Sequence, residues 1–156
     1  MGTGRNFHCA SCNATEWVGN LFEVLYAWAK GNGPPQCAEC SVPYELRLDF
    51  AFAFGADGGT RVVAVFLPGK ETTWQTEQKH TIRFYPFLVI GEVVATGTRT
   101  AWLPYWHTDE FNGRTLRKYG QWAPHMDLVL FADLVEQARA QGHLTPAAES
   151  APLTEA

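Results

Sequence analysis

The stretches "HCASC" at residues 8–12 and "QCAEC" at 36–40 decide how the N-terminal part of this chain is built. They hold all four of its cysteines, as Cys9-x-x-Cys12 and Cys37-x-x-Cys40, with residues 13 to 36 between the pairs. Two residues between ligands let a tight turn aim both sulfurs at one ion while backbone N–H groups donate to them, and two such turns complete a tetrahedron. Zn2+ suits a soft four-thiolate site with no open position, and a closed site of that kind is structural, one ion per chain. Iron in the same cage, dithiol redox chemistry and disulfides are the competing readings. Redox use needs only one pair, and disulfides need an oxidising compartment. His8, beside Cys9, is a spare ligand that four thiolates make unnecessary.

The double CxxC resembles the zinc-ribbon or rubredoxin-like class of double zinc knuckles, over residues 9–40 alone. The resemblance implies a metal site at Cys9, Cys12, Cys37 and Cys40 and is generic as to function. Ser41 follows the second pair where that pattern carries Gly, and a helix is expected in the gap where the pattern has a plain hairpin.

Working outward, Trp17, Leu21, Val24 and Trp28 recur at steps of four and three, with Glu16, Asn20, Glu23 and Lys30 opposite, which predicts a helix over about 15–30. Asn13 with Glu16 reads as its capping box, and Gly31 to Pro35 as its stop. From Glu45 the period changes to two: Leu46, Leu48, Phe50, Phe52 and Phe54 mark a half-buried strand. "GADGG" at 55–59 reads as the hairpin loop into "RVVAVFL", a central strand apolar on both faces. "KETTWQTEQKHT" is a loop or an exposed strand. In "IRFYPFLVIGEVVA", Pro86 predicts a bulge or an edge position, and "TGT" at 96–98 turns into "RTAWLPYW". The segment from His107 to Met126, rich in Gly, Pro, Asn and charge, reads as an ordered surface loop. Leu128, Phe131, Leu134, Val135 and Ala138 mark one face of a helix over about 127–141, with Asp127 near its start and Gly142 past its end.

The expected class is therefore α+β: a two-knuckle zinc site with an intervening helix, an antiparallel meander, and a C-terminal helix on the sheet. Residues 1–144 form one zinc-stabilised domain, with the zinc lobe at about 7–44 and the sheet and helix at about 45–144; 145–156 read as a disordered tail. With 46% apolar and 13% aromatic residues there is ample core material.

A net charge of −4, from twelve basic and sixteen acidic residues, argues against a nucleic-acid partner. Arg114, Arg117 and Lys118 make a local basic group that reads as a solvated loop. No charged-then-apolar leader opens the sequence, and the apolar run at 62–67 is far short of the ~20 residues a membrane helix needs. The expectation is a cytoplasmic protein with no membrane partner.

No nucleophile elbow, phosphate-binding loop, dinucleotide fingerprint or zinc-protease signature is present. The aromatic runs "WLPYWH" and "KYGQWAPHMD" supply Tyr105, Trp106, His107, Tyr119, Trp122 and His125 as candidate ligand-binding residues, a platform or pocket for a protein or small molecule. Against that stands plain packing of buried rings beneath a pinned loop. His107, Asp109, His125 and Asp127 offer an alternative, a metal-dependent hydrolase or nuclease site, since imidazole and carboxylate suit a hydrolytic metal. Glu77-x-Lys79 with Asp49 resembles the carboxylate and lysine set of restriction-like nucleases, which would hold a divalent metal. The reading that carries most weight is a non-catalytic binding or adaptor protein built on a structural zinc site and using the aromatic-rich loop.

Overall fold

Residues 81–93 and 99–111 run antiparallel to each other without a slip in register, from the Thr81–Glu110 pair to the Glu92–Arg99 pair. This long ribbon is the spine of the protein, and the turn at 94–98 closes it. The computed structural model describes residues 4–48, 59–120 and 128–144. The ribbon divides into β6 (Thr81–Pro86) with β9 (Tyr105–Phe111), and β7 (Leu88–Val93) with β8 (Arg99–Trp102).

Each half of the ribbon belongs to a different four-stranded antiparallel sheet. The first has the order β10–β9–β6–β5, with β5 at Thr72–Gln75 and β10 at Arg114–Gly120. The second has the order β3–β4–β7–β8, with β3 at Arg47–Leu48 and β4 at Thr60–Phe66. Pro86 falls between the last pair with β5, Thr72–Phe84, and the first with β4, Phe66–Leu88. A residue with no N–H loses nothing where the neighbouring strand changes. Pro86 thus marks the crossing between sheets, paired with Tyr105 on one side and with neither β5 nor β4 on the other, a local edge position as the sequence predicts.

The strand β4 is apolar on both faces, as its sequence predicts. Val62 and Val65 join Phe22, Leu25, Leu46, Phe87, Val89 and Trp106 in one core cluster. Ala64 and Phe66 face the other way, to Leu88, Ile90, Leu134 and Ala138. A bulge between Val62 and Ala64 sets this alternation.

The second cluster is covered by α2 (Leu128–Ala140). Its buried face is Leu130, Leu134 and Ala138, whereas Phe131 is 43% exposed, so the helix is rotated from the face read from sequence. Polar contacts fix that rotation. The Gly69 N–H donates to Asp133 Oδ2 at 2.9 Å, and Gln137 Nε2 donates to the Leu67 carbonyl at 3.3 Å. The Asp127 cap lies outside the described residues, as do the expected strand beyond Leu48, its hairpin loop up to Gly58, and the tail at 145–156.

The helix expected over 15–30 is corrected at its start. Residues Thr15–Asn20 are a strand, β2, paired antiparallel with β1 (Gly4–His8). The helix α1 covers Leu21–Ala27 and widens into a π-type turn over Trp28–Asn32. Its capping box is Asn20 with Glu23: the Glu23 N–H donates to Asn20 Oδ1 at 3.0 Å and the Asn20 N–H to Glu23 Oε2 at 3.2 Å. The returning carboxylate lies 2.8 Å from where a Cβ on Gly19 would sit, and Gly19 has φ +104°, so glycine is needed there twice over. Side-chain periodicity within 15–20 could not reveal this, because β2 is held by backbone pairing with β1 across the first Cys-x-x-Cys turn.

The segment read as a surface loop from His107 is also corrected. Residues Tyr105–Phe111 and Arg114–Gly120 are the β9–β10 hairpin, turning at Asn112-Gly113, both with positive φ. Its Asn-Gly turn flanked by strand-forming residues was the available signal.

Candidate metal centre

Each cysteine pair sits in a knuckle of the same design. In the first, the Cys9 N–H donates to the Ala14 carbonyl at 2.8 Å and the Asn13 N–H to the Cys9 carbonyl at 2.9 Å. In the second, the Cys37 N–H donates to Val42 at 3.0 Å and the Ser41 N–H to Cys37 at 2.8 Å. Asn13 and Ser41 take φ of 62° and 59°, the left-handed turn that lets the chain reverse after the second sulfur. Asn tolerates that conformation readily. Ser41 adopts it where glycine is usual, held by its amide bond to Cys37. The knuckles close on the His8–Thr15 pair and the Gln36–Pro43 bridge.

The four sulfurs lie within 4.8 Å of one another, with Cys9–Cys40 and Cys12–Cys37 each at 3.5 Å. A tetrahedral ion bound to sulfur at about 2.3 Å needs sulfur–sulfur edges of about 3.8 Å, so the donor set fits a single ion. Cys9 and Cys37 are buried, Cys40 is intermediate and Cys12 is exposed, so one side of the cage faces water. Burial pushes the Cys37 thiol up, but hydrogen bonding, first from the Cys40 amide and also from the Glu39 amide, outweighs it and brings the pKa down to about 6. At Cys12 the Ala14 amide favours the thiolate, yet the Cys37 sulfur, desolvation and the other two sulfurs push it up to about 12. A divalent ion would take all four as thiolates and release the protons they hold.

Two residues outside the cysteine set complete the centre. Tyr44, 4% exposed, donates its hydroxyl to Glu16 Oε1, and its ring lies 5.3 Å from that of Phe7. Burial, then Glu16 and Cys37, raise the Tyr44 phenol above its ordinary range, so it keeps its proton and acts as a donor. Glu16 also accepts from the Ala38 N–H at 3.1 Å. Sequence reading placed Glu16 on the polar side of a helix and missed this role, because its partners are in the other knuckle.

The aromatic candidates are divided between two faces of one sheet. Trp106 is 6% exposed and meets Phe22, Phe87 and Tyr119 at 5.7, 5.4 and 4.8 Å between ring centres. It is core. Tyr105 and His107 point to the opposite face of β9, where Tyr105 meets Phe84 at 5.4 Å and Phe84 meets Trp74 at 6.4 Å. Burial and then Lys118 depress the His107 pKa, against the pull of Asp109. Trp122 and His125 lie outside the described residues.

Asp109 is engaged by a residue the sequence did not single out. His80 Nδ1 lies 2.6 Å from Asp109 Oδ1, and the His80 ring stacks on Phe111 at 4.1 Å with an interplanar angle of 8°. Lys118 Nζ is 3.5 Å from Asp109 Oδ2, so both carboxylate oxygens have partners. Among the described residues the four cysteines alone form a group of three or more side chains able to hold a metal. Asp127 lies outside them, as does Asp49; Glu77 and Lys79 are exposed at the β5–β6 turn.

Fold and site together define an α+β protein with a four-cysteine cluster able to hold a metal ion. Comparison with known protein families, with curated proteins and with solved structures gives no match to the chain. No described helix is long and apolar enough to cross a membrane.

Proposed function

We propose that this is a zinc-stabilised, non-catalytic binding protein. The observation that carries the reading is the closed donor set: four cysteine sulfurs within 4.8 Å of one another, which leave a tetrahedral ion no position for substrate or water. Zinc is the ion such a soft, redox-silent site suits, and iron is the alternative occupant. The metal would join β1 and β2 to the chain entering β3, and so supply folding free energy to the N-terminal lobe.

The binding role rests on the outer face of the β10–β9–β6–β5 sheet. Trp74, Phe111 and Leu116 are 46%, 41% and 59% exposed there, and the Trp74–Phe84–Tyr105 ring series crosses three strands. Rigid aromatics on a sheet are good anchors for a protein or small ligand. Metal content of the purified full chain tests the proposal: one tightly held zinc per chain is expected. A second, exchangeable metal lost in His107→Ala would replace this reading with the hydrolytic one.

A further inference from the structure

We propose that Glu16 and Tyr44 are positioning residues for the metal, a latch between the two knuckles that preorganises the cage and sets how tightly it keeps its ion. The inference rests on the reading of the four cysteines as a metal site.

The two knuckles form a structural repeat in which Cys9, Cys12 and Asn13 correspond to Cys37, Cys40 and Ser41, with matching hydrogen bonds and matching closing pairs. In the same correspondence Glu16 stands where Tyr44 stands. These equivalent residues bind each other across the cage, the Tyr44 hydroxyl donating to the Glu16 carboxylate. Two glutamates there would repel, whereas an acid and a phenol supply one acceptor and one donor.

The latch reaches both backbone and ligand. Glu16 takes the N–H of Ala38, a residue inside the second knuckle's own Cys-x-x-Cys turn, at 3.1 Å through Oε1 and 3.4 Å through Oε2. Tyr44 also packs with the ligands Cys9 and Cys37 in one buried cluster and is fixed by the Phe7 ring. One side chain from the first knuckle therefore fixes the turn that aims two sulfurs of the second. Bringing two knuckles together costs conformational entropy, and a contact that holds them in place before the ion arrives removes that cost from binding. Groups that orient metal ligands from outside typically change affinity by about 10–100-fold.

The test is chelator competition on the zinc-loaded full chain, together with the absorption spectrum of the cobalt-substituted protein. Tyr44→Phe keeps the buried ring and removes the hydroxyl; Glu16→Ala removes the acceptor; Glu16→Gln keeps the shape and one acceptor oxygen. The expected result is affinity about 10–100-fold weaker in Tyr44→Phe and Glu16→Ala, an intermediate loss in Glu16→Gln, and a tetrathiolate cobalt spectrum kept in all three. Affinity within about twofold of the parent, even with a lower melting temperature, overturns the proposal and leaves the pair as ordinary structural contacts. If Tyr44→Phe does not fold, the two Glu16 variants decide by the same criterion. A parent chain that takes up neither zinc nor cobalt overturns the latch and the metal reading together.

Discussion

The backbone N–H of Phe87 donates to the carbonyl of Pro104 at 2.8 Å, at the point where both strands of the central ribbon leave one sheet and enter the other. Phe87 is fully buried there, in ring contact with Phe22 and Trp106, so the bend in the ribbon is also the centre of the larger core. The helix that follows the first knuckle docks on this point through Phe22 and Leu25. The cysteine knuckles and the sheets are thereby joined by apolar packing as well as by the chain.

Trp106→Ala should be strongly destabilising, by about 3–5 kcal/mol, because it removes a buried indole from that junction. Trp74→Ala on the exposed face should cost far less, within about 0.5 kcal/mol. Chemical denaturation of both variants makes the comparison. Equal losses would mean that Trp106 is not core.

Gly91 lies between β4 and β8, where an added Cβ would meet the Thr60 methyl and stand 2.9 Å from Thr100 Oγ1. Gly91→Ala should cost about 1–3 kcal/mol as overpacking. Thr60→Ser, which removes the offending methyl, should recover part of that loss in the double variant. Strict additivity of the two changes in a thermal-unfolding cycle would show that they do not clash.

Cys12→Ser and Cys40→Ser remove ligands from the exposed and half-buried side of the cage. Both should weaken metal binding by more than the roughly 10–100-fold that loss of an outer hydrogen bond costs, and both should lower the melting temperature. Metal analysis and calorimetry report the two effects. Unchanged metal content and melting in both variants would remove the structural role assigned to the site.

Asp109 should contribute to the loss of stability at acid pH. Its carboxyl is held below the ordinary value of 3.8, first by the hydrogen bond from His80 and then by Lys118, against an opposing effect of burial. A depressed folded-state pKa adds stability that is fully present above the unfolded value and fades as pH falls through the folded one. Asp109→Asn should therefore flatten the acid limb of a stability profile below about pH 4. An identical limb in parent and variant would place the acid sensitivity elsewhere.

Single-sequence patterns identified those parts of the protein whose partners are close along the chain or whose chemistry is unusual. Cysteine spacing picked out the four thiols that meet, the two-faced run at 62–67 read as a central strand, and Gly142 marked the end of the last helix. The failures share a cause. Residues 15–20 have helical spacing, yet residues 4–8 offer them a ladder of backbone hydrogen bonds, and the helix waits for the Asn20–Glu23 cap. Residues 107–120 lack an apolar period because they form a sheet with Arg, Lys, Asp and His on its faces, stabilised by pairing with β6 rather than by burial alone.

By itself the sequence determined that four thiols would meet and that the class would be α+β, since two Cys-x-x-Cys turns and period-two apolar runs are written locally. Only the tertiary structure decided that Trp106 is core while Tyr105 and His107 face outward, because alternation along a strand fixes which residues share a face but not which face is covered. It also decided that Asp109 belongs to His80, and that Glu16 reaches Tyr44 across the cage. Those are contacts between distant residues, set by strand register and by the repeat of the two knuckles.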